Sequence, residues 1–146
     1  MPQSFHIRVR VPSARPDVFD LFATEHGLTS WLCPAAHVEP GVGGAYELFW
    51  RPDDRERDST VGCRLTAYAP DSLVAFDWKS PVAFAPFANA ADPLTHVVVS
   101  FAPDGPGTAV HLVHSGWRAA APWREARAWQ ERAWRGALAQ LGDVAT

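Results

Sequence analysis

Lysine is almost absent from this 146-residue chain: Lys79 is the single one among 13 basic residues, and arginine supplies the rest. Runs of like charge are missing too, since Arg51 to Asp58 mixes signs and reads as a solvated loop. With a net charge of −3 and a pI near 6.0, nothing favours nucleic acid or an anionic membrane as a partner. No apolar stretch approaches the roughly 20 residues that span a bilayer. No basic segment followed by an apolar one marks a secretory signal, so a cytoplasmic location is expected. Cysteine is scarce: Cys33 and Cys63 lie far apart with no CxxC, which argues against a zinc ribbon or redox pair and predicts two small buried hydrophobes.

Motifs for chemistry are equally sparse. His6, His26, His37 and His96 show no HxxxH-type spacing, and His111 and His114 fall on opposite faces of one strand. No metal site and no cofactor are therefore expected. There is no GxSxG, and Ser115 in His-Ser-Gly-Trp sits on no strand-to-helix elbow, so a serine nucleophile lacks context.

What the chain does have is hydrophobic content of 47%, enough for one core and a single domain over residues 1–146, and seven tryptophans. Phe5 to Val11 alternates apolar and polar, the pattern of a half-buried strand. Ser13 is placed to N-cap a short helix with Pro16 in its first turn, and a second helical turn is expected over Leu28–Leu32. Strands follow over Cys33–Glu39, Ala45–Trp50, Thr60–Tyr68, Leu73–Lys79, Thr95–Phe101 and Thr108–Ser115, with Ala102–Gly107 as a hairpin connection. Ser80 to Pro93 reads as an irregular loop, either a lid or a static cover; exposure of its Phe84 and Phe87 would instead mark a dimer contact.

The last segment, Pro122 to Leu141, is a long amphipathic helix. Trp123, Ala126, Gln130, Trp134, Ala137, Leu138 and Leu141 share one face, and most of the charged residues fall opposite. One helix covers a sheet this large only if the sheet curls around it. The expected fold is α+β: a curved antiparallel sheet of about six or seven strands gripping the C-terminal helix, with two short helices after the first strand.

The ordered pieces Val11–Phe19, Thr29–Leu32, Gly43–Tyr46, Val61–Arg64, Pro70–Trp78, Gly107-Thr108, His114–Trp117 and Trp134–Leu141 resemble the START-like, helix-grip (SRPBCC, Bet v1-like) superfamily. Within it, the chain is similar to the group of the C-terminal domain of the Hsp90 ATPase activator Aha1. The resemblance spans nearly the whole chain and departs at two points. Ala133 stands where the family helix often has glycine, and Gln130 where it often has histidine, so a mechanism through that histidine does not carry over. The resemblance implies a ligand cavity between sheet and helix, and it offers an Hsp90-type chaperone as partner by family alone. The separate N-terminal domain through which eukaryotic Aha1 proteins stimulate Hsp90 is not expected within these 146 residues.

Three functions follow as alternatives. The leading one is binding of a small hydrophobic or aromatic molecule, with Trp31, Trp78, Trp123 and Trp134 giving apolar area and Gln130 and His114 orienting a polar group. The second is a cyclase- or hydrolase-like enzyme using His114, Asp77 or Glu47 as acid or base. The third is an Hsp90-related stress-response or protein-interaction module. A homodimer is a reasonable expectation for a domain of this kind.

Overall fold

The computed structural model describes residues 3–145, arranged as a curved antiparallel sheet around a C-terminal helix. Six strands form the main sheet in the order β4 (Leu65–Ala69), β5 (Leu73–Trp78), β6 (Thr95–Asp104), β7 (Gly107–Ser115), β1 (Ser4–Val11), β8 (Asp143–Val144). A two-stranded ribbon, β2 (Ala35–Val38) with β3 (Tyr46–Phe49), adjoins the β4 edge: Tyr46 N–H donates to Cys63 O (2.9 Å) and Leu65 N–H to Gly44 O (2.8 Å).

Alternation decides which side chains point inward. In β1, Phe5, Ile7, Val9 and Val11 are buried while His6, Arg8 and Arg10 are exposed. The same period places Val110, Leu112 and His114 of β7, Thr95, Val97, Val99 and Phe101 of β6, and Val74, Phe76 and Trp78 of β5 in the interior. His114 therefore enters the core because it occupies an inward position of a strand that is otherwise apolar there.

The two short helices close one end. α1 (Arg15–Ala23) presents Val18, Phe19 and Phe22 to the sheet, with Phe19 and Phe22 both packed on Phe101 at 5.5 and 5.4 Å between ring centroids. Its N-cap is Ala14, with no side-chain cap, rather than Ser13. Pro16 in the first turn has no N–H to satisfy, so a capping hydroxyl is not required, and the Ser13 carbonyl instead accepts from Thr108 Oγ1 (2.8 Å). The second helix, α2, runs Glu25–Thr29, earlier than the Leu28–Leu32 expected from the sequence. Thr24 starts it, its Oγ1 accepting from Gly27 N–H (2.9 Å). Glycine is required at 27, because a Cβ would sit 1.9 Å from Asp20 O.

Two further boundaries moved. Thr60 to Cys63, expected as strand, is a turn, and Arg64 only bridges Ala45: Thr60 O accepts from Cys63 N–H (3.0 Å) and Gly62 has φ +86°. The β6–β7 hairpin is longer than expected, pairing Asp104 with Gly107 and leaving only two residues in the connection. The loop 80–94 contains one helical turn, α3 (Ala85–Ala88), and is closed by the Asn89 amide, which bonds both backbone groups of Ser80.

The C-terminal helix α4 (Ala121–Leu138) stops before the expected Leu141 and buries Trp123, Ala126, Gln130, Trp134 and Leu138 of the expected stripe against the concave face, with Ala137 and Leu141 half-buried. After it, Gly142 lets the chain pass against Arg10 O, and Asp143–Val144 add a short edge strand to β1 that no apolar pattern marks. Cys33 and Cys63 are both buried and free, as anticipated; burial pushes their thiols up to about 11 and about 12.

Candidate functional site

Aromatic side chains fill much of the space under α4, and two hydrogen-bonded chains run through them. Trp134 Nε1 donates to His114 Nδ1 (3.1 Å), and His114 Nε2 lies 3.0 Å from Thr95 Oγ1. An indole N–H only donates, so Nδ1 must be the unprotonated nitrogen. Burial holds His114 well below the usual imidazole range, which keeps it neutral. The proton then resides on Nε2 and is donated to Thr95. In the second chain, Trp78 Nε1 donates to Gln130 Oε1 (3.2 Å). The same donor-only logic fixes the Gln130 amide: its oxygen faces Trp78, and its NH2 makes no hydrogen bond among the described residues.

That NH2 belongs to the wall of a cleft of about 380 Å³. The cleft lies between one flank of α4 (Trp129, Gln130, Ala133, Trp134, Ala137) and Leu32, Trp50, Asp58, Ser59, Trp78, Lys79 and Pro81. Its size falls within the span usual for small-molecule sites. Trp78 and Trp134 form the buried floor, with centroids 5.0 Å apart, while Trp50 and Trp129 stand partly exposed at the rim. Trp50 is held in place by Trp78, edge to face at 6.0 Å, and by donation from its Nε1 to Leu32 O (3.1 Å). Lys79 Nζ donates to Val61 O (2.7 Å). Asp58 is fully engaged: Oδ2 pairs with Arg51 Nε (2.7 Å) and Oδ1 accepts from Val82 N–H (2.8 Å).

Of the residues expected to line a cavity, Trp78, Gln130 and Trp134 are brought together here. Trp31, Trp123 and His114 lie elsewhere. Trp31 packs edge to face on Phe22 (5.1 Å) and donates to Leu21 O (2.8 Å). Trp123 shares the helix face with Trp134 but lies about 16 Å along the axis, against Trp117 and Phe87 and beneath the Arg118 guanidinium (4.9 Å). His114 is fully enclosed rather than at a pocket mouth, with both nitrogens engaged. The two other acid–base candidates also stand off the cleft. Asp77 is half-buried on the outer face of β5 opposite His96, and Glu47 accepts from Gly62 N–H (2.6 Å).

Nine lining residues escaped the sequence reading, Trp50, Trp129, Lys79 and Leu32 among them. Trp129 sits one step round the helix from Gln130, so the inner stripe does not include it. Lys79 carried one usable sign, its being the only lysine. Both departures from the family pattern, Gln130 and Ala133, lie on this cleft.

The family model for the activator of Hsp90 ATPase homolog 1-like protein matches residues 13–146. The chain belongs to that family. No functionally curated protein matches it. Among solved structures, the family member is similar to the Aha1 dimer from Colwellia psychrerythraea at 13% identity, covering 95% of this chain and 96% of that one, with a TM-score of 0.65. An HSP90 activator from Plasmodium falciparum aligns at 18% identity over 95% and 92% of the two chains, with a TM-score of 0.71. CalU16 from Micromonospora echinospora aligns at 16% identity over 90% and 71%, with a TM-score of 0.61. At such identities the structural likeness establishes the fold. Among the described residues, no helix is long and apolar enough to cross a membrane.

Proposed function

We propose that this family member binds a small apolar or aromatic molecule in the cleft beside α4. One observation carries the reading: Gln130, 5% exposed, has its oxygen tied to Trp78 and its NH2 turned to a tryptophan-lined hollow without a partner. The NH2 is open to the cleft, so a ligand acceptor there takes the place of solvent at a donor that no protein group uses. Trp78 and Trp134 supply flat apolar surface, and Trp50 and Trp129 flank the entrance. The test is quenching of tryptophan fluorescence by a panel of aromatic and lipid-like compounds, repeated on Ala133→Leu, which fills the cleft without removing a tryptophan. A saturable quench weakened at least tenfold by the filled variant is the expected result; equal quenching of both proteins would move the binding elsewhere.

A cyclase- or hydrolase-like reaction in the same cleft has less support, because His114, Asp77 and Glu47 all lie off its walls. Family membership supports a second reading, an Hsp90-linked, stress-related interaction module, and the dimeric Aha1 relative makes self-association worth testing. The expected outcomes are a change in Hsp90 ATPase rate on adding the protein and a sedimentation mass of two chains. An unchanged rate counts against the first, and a single-chain mass against the second.

A further inference from the structure

We infer that the ligand of the cleft is an anion, an aromatic or alicyclic molecule carrying a carboxylate or a comparable oxyanion; this rests on the cleft being a ligand site. It follows from the polar side-chain atoms on its walls. Every side-chain acceptor there already holds at least one donor. Both Asp58 oxygens are taken, by Val82 N–H and Arg51, and Gln130 Oε1 is held by Trp78. The Ser59 hydroxyl donates to Arg55 O (2.6 Å) and is approached by Val61 N–H (3.4 Å). Three indole donors are also spent: Trp50 on Leu32 O, Trp78 on Gln130 and Trp134 on His114.

What remains unpaired among the described residues is donors only. Gln130 keeps its NH2, Lys79 keeps two of its three N–H groups beyond the bond to Val61 O, and Trp129 keeps its indole N–H at the rim. Lys79 is in no salt bridge with a described carboxylate, and the cleft's one carboxylate is neutralised by Arg51. An apolar hollow with spare donors and one cation outside any salt bridge is complementary to a ligand that presents acceptors and negative charge. Charge-assisted bonds from an ammonium to a carboxylate are about twice as strong as neutral ones, so the cation selects an acid over its neutral isostere. A cationic ligand meets the Lys79 charge and finds only acceptors that already hold a donor.

The probes are 1-naphthoate, 1-naphthamide and 1-naphthylmethylammonium, which share a ring system and differ in charge, titrated at neutral pH against the full chain. Naphthoate is expected to bind about tenfold more tightly than the amide, and the ammonium compound most weakly. Lys79→Met should erase the preference for acid over amide, and Lys79→Arg should retain it. Gln130→Leu should weaken acid and amide alike, since both present an acceptor to its NH2. An amide or ammonium compound binding as tightly as the acid to the wild-type protein overturns the anion inference and leaves the cleft reading standing. Failure of all three to bind overturns the cleft reading, and the anion inference with it. The comparison on the wild-type chain needs no variant to fold.

Discussion

His114 shows how one inward strand position sets a residue's chemistry. Its ring is sealed between Trp78, Trp117, Trp134 and Phe5, and its two nitrogens accept from Trp134 and donate to Thr95. Unfolded, the imidazole titrates near 6.5; folded, it titrates well below that, because burial penalises the cation. Between those two values the unfolded chain binds the extra proton. The His114 contribution to stability is thus full above about pH 6.5 and is lost as pH falls through the window, by up to about 1.4 kcal/mol per pH unit. Urea melts between pH 7.5 and 5 check this: stability should drop over that range, and His114→Gln should flatten the drop. His111 also titrates low, mainly through partial burial and then Arg8 and His6, but it lies on the outer sheet face, where solvent screens it. A second residue-scale prediction isolates one hydrogen bond. Trp134→Phe and Trp117→Phe remove the same volume from buried sites. Only the first leaves a partner stranded, since Trp117 Nε1 is the one buried side-chain nitrogen among the described residues with no bond. Trp134→Phe should cost about 1–3 kcal/mol more in denaturant melts; equal costs would mean that the Trp134–His114 bond contributes nothing.

At the scale of elements, the break between α1 and α2 is governed by close approach. Gly27 packs its Cα against the Asp20 carbonyl, and Thr24 caps α2 through its hydroxyl while its N–H closes α1 on Asp20 O (3.2 Å). Gly27→Ala forces a Cβ into backbone and should destabilise by roughly 1–3 kcal/mol, read as a lower thermal midpoint; an unchanged midpoint would show that the two helices slide apart freely. Pattern reading predicted the existence of these helices, of seven of the eight strands and of the inner stripe of α4, because apolar periodicity is local information. It misplaced α2 because the Thr24 cap outweighed the apolar run at Leu28–Leu32. It read Thr60 to Cys63 as strand because the turn there depends on Gly62 and on Thr60 Oγ1 accepting from Leu48 N–H (2.9 Å), a contact across the fold.

For the whole molecule, the two thiols report global opening. Cys33 and Cys63 lie in the core with burial raising both far from the reactive thiolate form. Labelling of either by a disulfide reagent should therefore be slow in the native protein and should rise with urea in step with the loss of tertiary structure. Fast labelling of one cysteine below the unfolding transition would reveal an independent opening of the β2–β3 side, where Cys33 and Cys63 both lie.

The sequence by itself determined the fold class, the buried face of α4 and the burial of both cysteines. Each depends on side-chain periodicity or on the absence of competing motifs, which are local properties of the chain. It also placed Trp78, Gln130 and Trp134 among the lining residues. Only the tertiary structure decided which tryptophans meet. Trp50 comes from the end of the ribbon and Trp129 from the flank of the helix, while Trp123, on the same stripe as Trp134, lies too far along the axis to join them. Tertiary structure alone also decided which polar atoms stay free at the cleft, because hydrogen-bond saturation depends on partners distant in sequence: Arg51 for Asp58, His114 for Trp134, Trp78 for Gln130.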